Sequence, residues 1–145
     1  MVADVLFVRG CRRMVLRGAA MVLGLGTDLI EIERIRMSID RFGERFVERV
    51  FTAGEIAYCR RKKQPAESFA ARFAAKEAGA KALGTGISRG VSWKEIEVTR
   101  ETGQRPMLHF RGRAGDLAEA MGVRKVHLTL SHSQKLAIAV AMVEG

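Results

Sequence analysis

From residue 21 the chain alternates between short apolar runs and charged helical stretches. Residues 22–30, Val-Leu-Gly-Leu-Gly-Thr-Asp-Leu-Ile, make an apolar strand pattern interrupted by two glycines. The period then changes. Ile35, Ile39, Phe42 and Phe46 fall at steps of four, three and four, one apolar helical stripe, with Gly43 as an interruption. Arg34, Ser38, Arg41 and Arg45 form a basic stripe beside it. Thr52-Ala-Gly-Glu55 is a capping box that opens a helix toward Arg61. After the break at Gln64-Pro65, an alanine-rich helix starts near Glu67 and runs to Gly84-Thr85-Gly86. Gly79 inside it costs about 1 kcal/mol against alanine, which predicts close packing against a neighbouring strand. Trp93–Thr99 and Met107–Phe110 read as strands around a turn at 102–106, and 113–121 as a short helix ended by Gly122. Lys125–Leu130 and Leu136–Val143 complete the strands, joined by a Ser131-His132-Ser133 loop. The sum is one α+β domain without repeats, low-complexity tracts or a linker.

The alanine-rich helix carries chemistry as well as core. Glu77 and Lys81 are four apart, so they stack one turn over the other. The Gly84-Thr85-Gly86 exit predicts a left-handed turn that stops the helix and exposes backbone amides. A carboxylate for a hard metal, a cation and bare amides together suit a phosphate-bearing substrate. An isolated pair at this spacing is more often a surface ion pair worth about 0.2–0.5 kcal/mol. Asp28 shifts that balance, because it sits in an apolar context where a charge needs a metal or donors. Asp28 equally suits the cap of the helix that follows, and the two roles are compatible.

At this point the residues resemble a known family. Gly26-Thr27-Asp28, the basic helix after it, Arg72-Phe-Ala-Ala-Lys-Glu77-Ala, Lys81-Ala-Leu-Gly-Thr-Gly86 and Leu130-Ser-His-Ser133 occur in that order. The combination is similar to the small, single-domain 4′-phosphopantetheinyl transferases, the holo-acyl-carrier-protein synthases, from Met21 to near the C-terminus. The resemblance implies a small antiparallel sheet packed around a long central helix. It also implies Mg²⁺-dependent transfer of the phosphopantetheine arm of coenzyme A to a serine of an apo acyl carrier protein, leaving adenosine 3′,5′-bisphosphate. By position, Asp28 and Glu77 match the metal-binding carboxylates. Glu77, directly or through a water on the metal, is the expected proton acceptor, and Lys81 the group that neutralises the leaving phosphate. Arg72, Lys81, Gly84, Thr85, Gly86 and His132 are the expected coenzyme contacts. His132 also reads as an edge histidine fixed by its serine neighbours. Arg34, Arg41 and Arg45 are the expected docking face for an acidic carrier protein, although Glu31, Glu33, Asp40 and Glu44 equally describe a solvated helix. Family members are similar in forming homotrimers with active sites between subunits.

Composition bounds this reading. The 145 residues suffice for a core without staples, and 48% hydrophobic with 6% aromatic content points to Ala, Val, Leu and Ile inside. The net charge of +9 suits an anionic ligand and an acidic partner, and equally nucleic acid. A basic, non-catalytic binding module is therefore the alternative. Few aromatics for base stacking and no nucleic-acid motif weigh against it, so no nucleic-acid partner is expected. Cys11 and Cys59 lie far apart and define neither a disulfide framework nor a zinc site, which makes a reducing cytoplasm the default. His109 and His127 lie on strand patterns and read as structural. No apolar run reaches membrane-span length, so no membrane partner is expected. Residues 1–20, with Arg9, Arg12, Arg13 and Arg17 among apolar residues, read as an extension outside a domain covering 21–145.

Overall fold

A computed structural model describes residues 20–87 and 90–145. Residues 1–19, nearly all of the expected extension, lie outside the described residues. Strand β1 (Val22–Glu31) leads into helices α1 (Ile32–Phe42), α2 (Glu44–Val50) and α3 (Ala53–Arg60). The long helix α4 (Pro65–Ala82) follows, then a hairpin of β2 (Ile96–Thr99) and β3 (Met107–Phe110). Helix α5 (Gly112–Ala120) and strands β4 (Lys125–His132) and β5 (Leu136–Glu144) complete the chain. The strands form two antiparallel sheets, one in the order β1-β5-β4 and the other the β2-β3 hairpin.

Helix α4 is the axis of the fold, because nearly all of its surface is covered. Pro65 opens it at a position where the missing N–H costs nothing. Its alanines Ala70, Ala74 and Ala78 and the β5 residues Ala137, Ala139 and Ala141 are all buried. Small side chains on both layers let the helix lie close to the sheet. Gly79 fits the expected close packing: a Cβ there would sit 2.7 Å from Leu108 Cδ2 and 3.1 Å from Ile96 Cγ2. The α3 capping box is present as read, with Thr52 Oγ1 accepting from Glu55 N and Glu55 Oε2 accepting from Thr52 N.

Glu55 does more than cap. Its carboxylate also accepts Val98 N at 2.8 Å and pairs with Lys76 Nζ at 2.8 Å, both side chains being 0% exposed. Lys76 donates further to the carbonyls of Trp93 and Ile96. One sealed ion pair thus ties α3, α4 and β2 together, with donors and acceptors matched on each side.

Three local expectations change. Trp93–Glu95 is a 3-10 turn rather than strand, because Glu95 Oε2 folds back to accept Ser92 N at 2.7 Å. Ser131 and His132 belong to β4, paired with Ile138 and Ala137. The loop is residues 133–135, closed by Ser133 Oγ accepting from Lys135 N and Leu136 N. Phe42 leaves the apolar stripe: Ile35 is buried, but Phe42 is 52% exposed where α1 ends at Gly43.

Candidate active site

The site forms where β1 crosses the last turns of α4. Two glycines make that crossing possible. A Cβ at Gly24 would lie 1.9 Å from Ala82 O, and one at Gly26 would lie 2.0 Å from Ala78 O. No side chain fits, so the strand backbone rests on the helix backbone. Strand alternation then turns Asp28, paired with Ala139, toward α4, while Leu25 and Leu29 face outward. Asp28 meets Lys81 there, with Nζ 2.8 Å from Oδ1 and 2.9 Å from Thr27 O.

Glu77 sits one turn before Lys81 on the same face of α4 and is partly buried. Its carboxyl is pushed above the usual range, first by burial and then by the Asp28 charge, with Lys81 acting in the opposite direction. The two acids therefore feel each other electrically. Capping is not the role of Asp28, since the N-cap of α1 is Glu31. Nor does Lys81 pair with its helical neighbour Glu77; its carboxylate partner comes from β1.

Two carboxylates on facing elements, with one side open, form a donor set that fits Mg²⁺. That ion commonly takes one or two carboxylates and leaves its other positions to water and substrate phosphates. Asp28 and Glu77 are the residues that would hold it. Among the described residues no group of three or more His, Cys, Asp or Glu comes together, so a site saturated by protein ligands is not the match.

The glycine exit differs in one respect from expectation. Gly84 and Gly86 have φ of 75° and 64°, and the turn does stop the helix. Its amides, however, are engaged. Gly84 N donates to Lys81 O, while Thr85 N and Gly86 N both donate to Ala80 O. Thr85 Oγ1 reaches Ala80 O as well. The turn caps α4 with the donors that the sequence left open for a phosphate.

Other expected residues stand apart from the acid pair within the protomer. Arg72 lies five residues before Glu77, about 140° around the helix axis. It is buried, its guanidinium lies 3.9 Å from the Tyr58 ring centroid, and its Nε has no partner among the described residues. Burial raises the Tyr58 hydroxyl pKa, but the hydrogen bond and charge of Lys62, with Arg72 and Arg100, outweigh it and lower the value. That cationic cluster around Tyr58 was not read from the sequence; the run Arg60-Arg61-Lys62-Lys63 was its signal.

His132 is separated from β1 by strand β5 and approaches Glu67 Oε2 at 3.8 Å. Glu67 lies ten residues before Glu77, roughly 15 Å along α4. Neither serine neighbour hydrogen-bonds the ring among the described residues, whereas His109 and His127 are held by Thr99 and Glu144.

Arg34 and Arg41 on α1 and Arg45 on α2 are exposed as expected. The sequence reading missed the apolar groups among them: Met37 is 61% exposed, and Arg41 lies over the exposed Phe42 ring at 5.1 Å. Their signal was spacing, since Arg34, Met37 and Arg41 follow one another by three and four residues.

Comparison with known proteins identifies the family and the fold. The family model described as the 4′-phosphopantetheinyl transferase superfamily matches residues 24–141. A holo-[acyl-carrier-protein] synthase of Koribacter versatilis is 49% identical over 124 residues, covering 86% of this chain and 99% of that protein. Among solved structures, the crystal structure of the Neisseria meningitidis holo-[acyl-carrier-protein] synthase superposes with a TM-score of 0.78 at 33% identity, covering 86% of this chain and 100% of the other. The Helicobacter pylori holo-[acyl-carrier-protein] synthase in complex with coenzyme A superposes with a TM-score of 0.72 at 30% identity, over 82% of this chain and 98% of that one.

Proposed function

The chain belongs to the 4′-phosphopantetheinyl transferase superfamily, and we propose that the crossing of β1 and α4 is where it moves the phosphopantetheine arm. It is a holo-[acyl-carrier-protein] synthase that uses coenzyme A and an apo acyl carrier protein. The carrier serine oxygen forms a bond to the phosphorus bearing the pantetheine arm. The pyrophosphate P–O bond breaks, and adenosine 3′,5′-bisphosphate leaves.

The facing arrangement of Asp28, Glu77 and Lys81 carries the residue assignments. Glu77 accepts the serine proton, directly or through a water on the metal; in the metal-free site burial and the Asp28 charge raise its pKa. Asp28 and Glu77 hold Mg²⁺, which when bound supplies charge neutralisation to the diphosphate. Lys81, on the rim of the crossing, offsets charge on the leaving bisphosphate. Arg72 and His132 serve the coenzyme phosphates. The Gly84-Thr85-Gly86 turn shapes the wall beside Lys81 rather than donating amides.

Two further features support the assembly and the partner. The outward face of the three-stranded sheet is apolar, with Leu25 64% exposed and Leu29, Leu136 and Ile138 also open. A homotrimer covers that face and gathers groups that one protomer keeps apart, so the active sites lie between subunits. Arg34, Arg41 and Arg45 steer the acidic carrier protein, and Met37 and Phe42 give it apolar purchase. No helix among the described residues is long and apolar enough to cross a membrane, and the free thiol of Cys59 fits a cytoplasmic setting.

The decisive experiment is incubation with coenzyme A, Mg²⁺ and an apo carrier protein, read by mass spectrometry. The expected result is a serine-linked gain of one phosphopantetheine arm, lost on chelation of the metal. Unchanged transfer in excess chelator would remove Mg²⁺ from the reading. In the same assay Arg34→Glu with Arg41→Glu should raise KM for carrier protein while sparing KM for coenzyme A; an unmoved carrier KM would refute the docking face.

A further inference from the structure

Lys81 occupies an unusual place for a helix-surface lysine. Its ammonium donates to two acceptors on consecutive β1 residues, Asp28 Oδ1 at 2.8 Å and Thr27 O at 2.9 Å. Asp28 is the sheltered member of that pair at 17% side-chain exposure, while Lys81 is 48% exposed. A carboxylate so placed needs a cation beside it, because its own hydration is curtailed. The lysine head, in contrast, is bound weakly and half in water, so it can leave without opening the core. Its root is fixed: a Cβ on Gly26 would stand 2.9 Å from Lys81 Cβ, so the stem starts where strand and helix touch. The head therefore swings from a fixed point beside the acid.

We propose that Lys81 and a divalent cation compete for the Asp28 carboxylate, so that loading the cation releases the ammonium group to meet an anionic substrate. This rests on the reading of Asp28 and Glu77 as metal-holding residues. A small divalent ion on Asp28 and an ammonium 2.8 Å from the same carboxylate repel each other at short range. Release leaves Lys81 within a side chain's reach of the crossing, with three donors for a phosphate oxygen. Lys81 is thus a displaceable counter-ion as well as a substrate-facing cation. The exchange keeps Asp28 neutralised whether or not the cation is bound.

The test is a Mn²⁺ titration of the full-length protein followed by electron paramagnetic resonance, without coenzyme A or carrier protein. Lys81→Met should bind Mn²⁺ about five-fold or more tightly than the natural protein. Lys81→Arg, which keeps the charge, should restore weaker binding, and Asp28→Asn should lose it. Thermal unfolding of each variant confirms that the fold is kept. If Asp28→Asn loses Mn²⁺ but Lys81→Met binds it no better than the natural protein, the competition is refuted and the acid pair stands. If Asp28→Asn and Glu77→Gln both bind Mn²⁺ like the natural protein, the metal reading fails and the competition fails with it.

Discussion

Helix α4 carries two lysine–carboxylate pairs of the same length, and they have opposite characters. Lys76 and Glu55 meet at 2.8 Å with both side chains sealed, and every strong donor and acceptor has a partner in α3, β2 or the turn before it. Lys81 and Asp28 also meet at 2.8 Å, but at the rim, with the lysine half in water and a second carboxyl, Glu77, nearby. The adjacent motif residues Lys76 and Glu77 point about 100° apart around the helix. One half of the motif builds the fold, and the other half faces the chemistry. Distance alone does not separate the two pairs. Burial and the number of satisfied partners do.

The largest effect expected from this contrast is on the open side. Glu77→Gln keeps shape and hydrogen bonding but removes the proton acceptor and one metal ligand, so kcat should fall roughly 10²–10⁴-fold. Its unfolding midpoint should stay near that of the natural protein. Turnover within a few-fold of natural, at saturating Mg²⁺, would show that Glu77 is not the base.

On the sealed side the effect moves from rate to stability. Lys76→Met alone leaves the Glu55 carboxylate buried without its cation, which should cost about 3–5 kcal/mol. Lys76→Met with Glu55→Leu removes both charges and should recover only part of that loss, because Val98 N and the α3 cap lose the Glu55 acceptor. Lys81→Met, in contrast, should shift stability by about 1 kcal/mol or less, because its pair is half exposed. Urea unfolding measures all three. Equal losses for Lys76→Met and Lys81→Met would erase the distinction.

The sequence carried the open side of this contrast better than the sealed one. The glycine pair at 24 and 26, the inward Asp28 and the α4 spacing of Glu77 and Lys81 are local signals, and a backbone approach through the glycines was readable from residue size. The sealed pair was hidden because Glu55 announced itself as a capping residue, and its second set of partners lies some 20 to 45 residues along the chain. The amides of Gly84–Gly86 were misread for a related reason: the pattern marks where a helix stops, not which carbonyls claim the freed donors. Phe42 followed the apolar period of α1 yet faces solvent, since α2 begins in a new direction after Gly43. Local periodicity is blind to that turn.

Cys59 provides a small, sensitive probe of the sealed side. It is 0% exposed on α3, and burial raises its thiol to about 11, with the Arg72 charge pulling the other way. At pH 8 only about one molecule in a thousand carries the thiolate, the reactive form. Iodoacetamide should therefore leave Cys59 unmodified in the natural protein over hours, read by peptide mass spectrometry so that Cys11 is scored separately. Lys76→Met removes the clamp holding α3 to α4, so Cys59 should become alkylated through local opening before the protein unfolds globally. Lys81→Met should leave Cys59 as protected as before. Rapid alkylation of Cys59 in the natural protein would mean that the α3–α4 contact opens readily, and the buried ion pair would then not be the lock that its geometry describes.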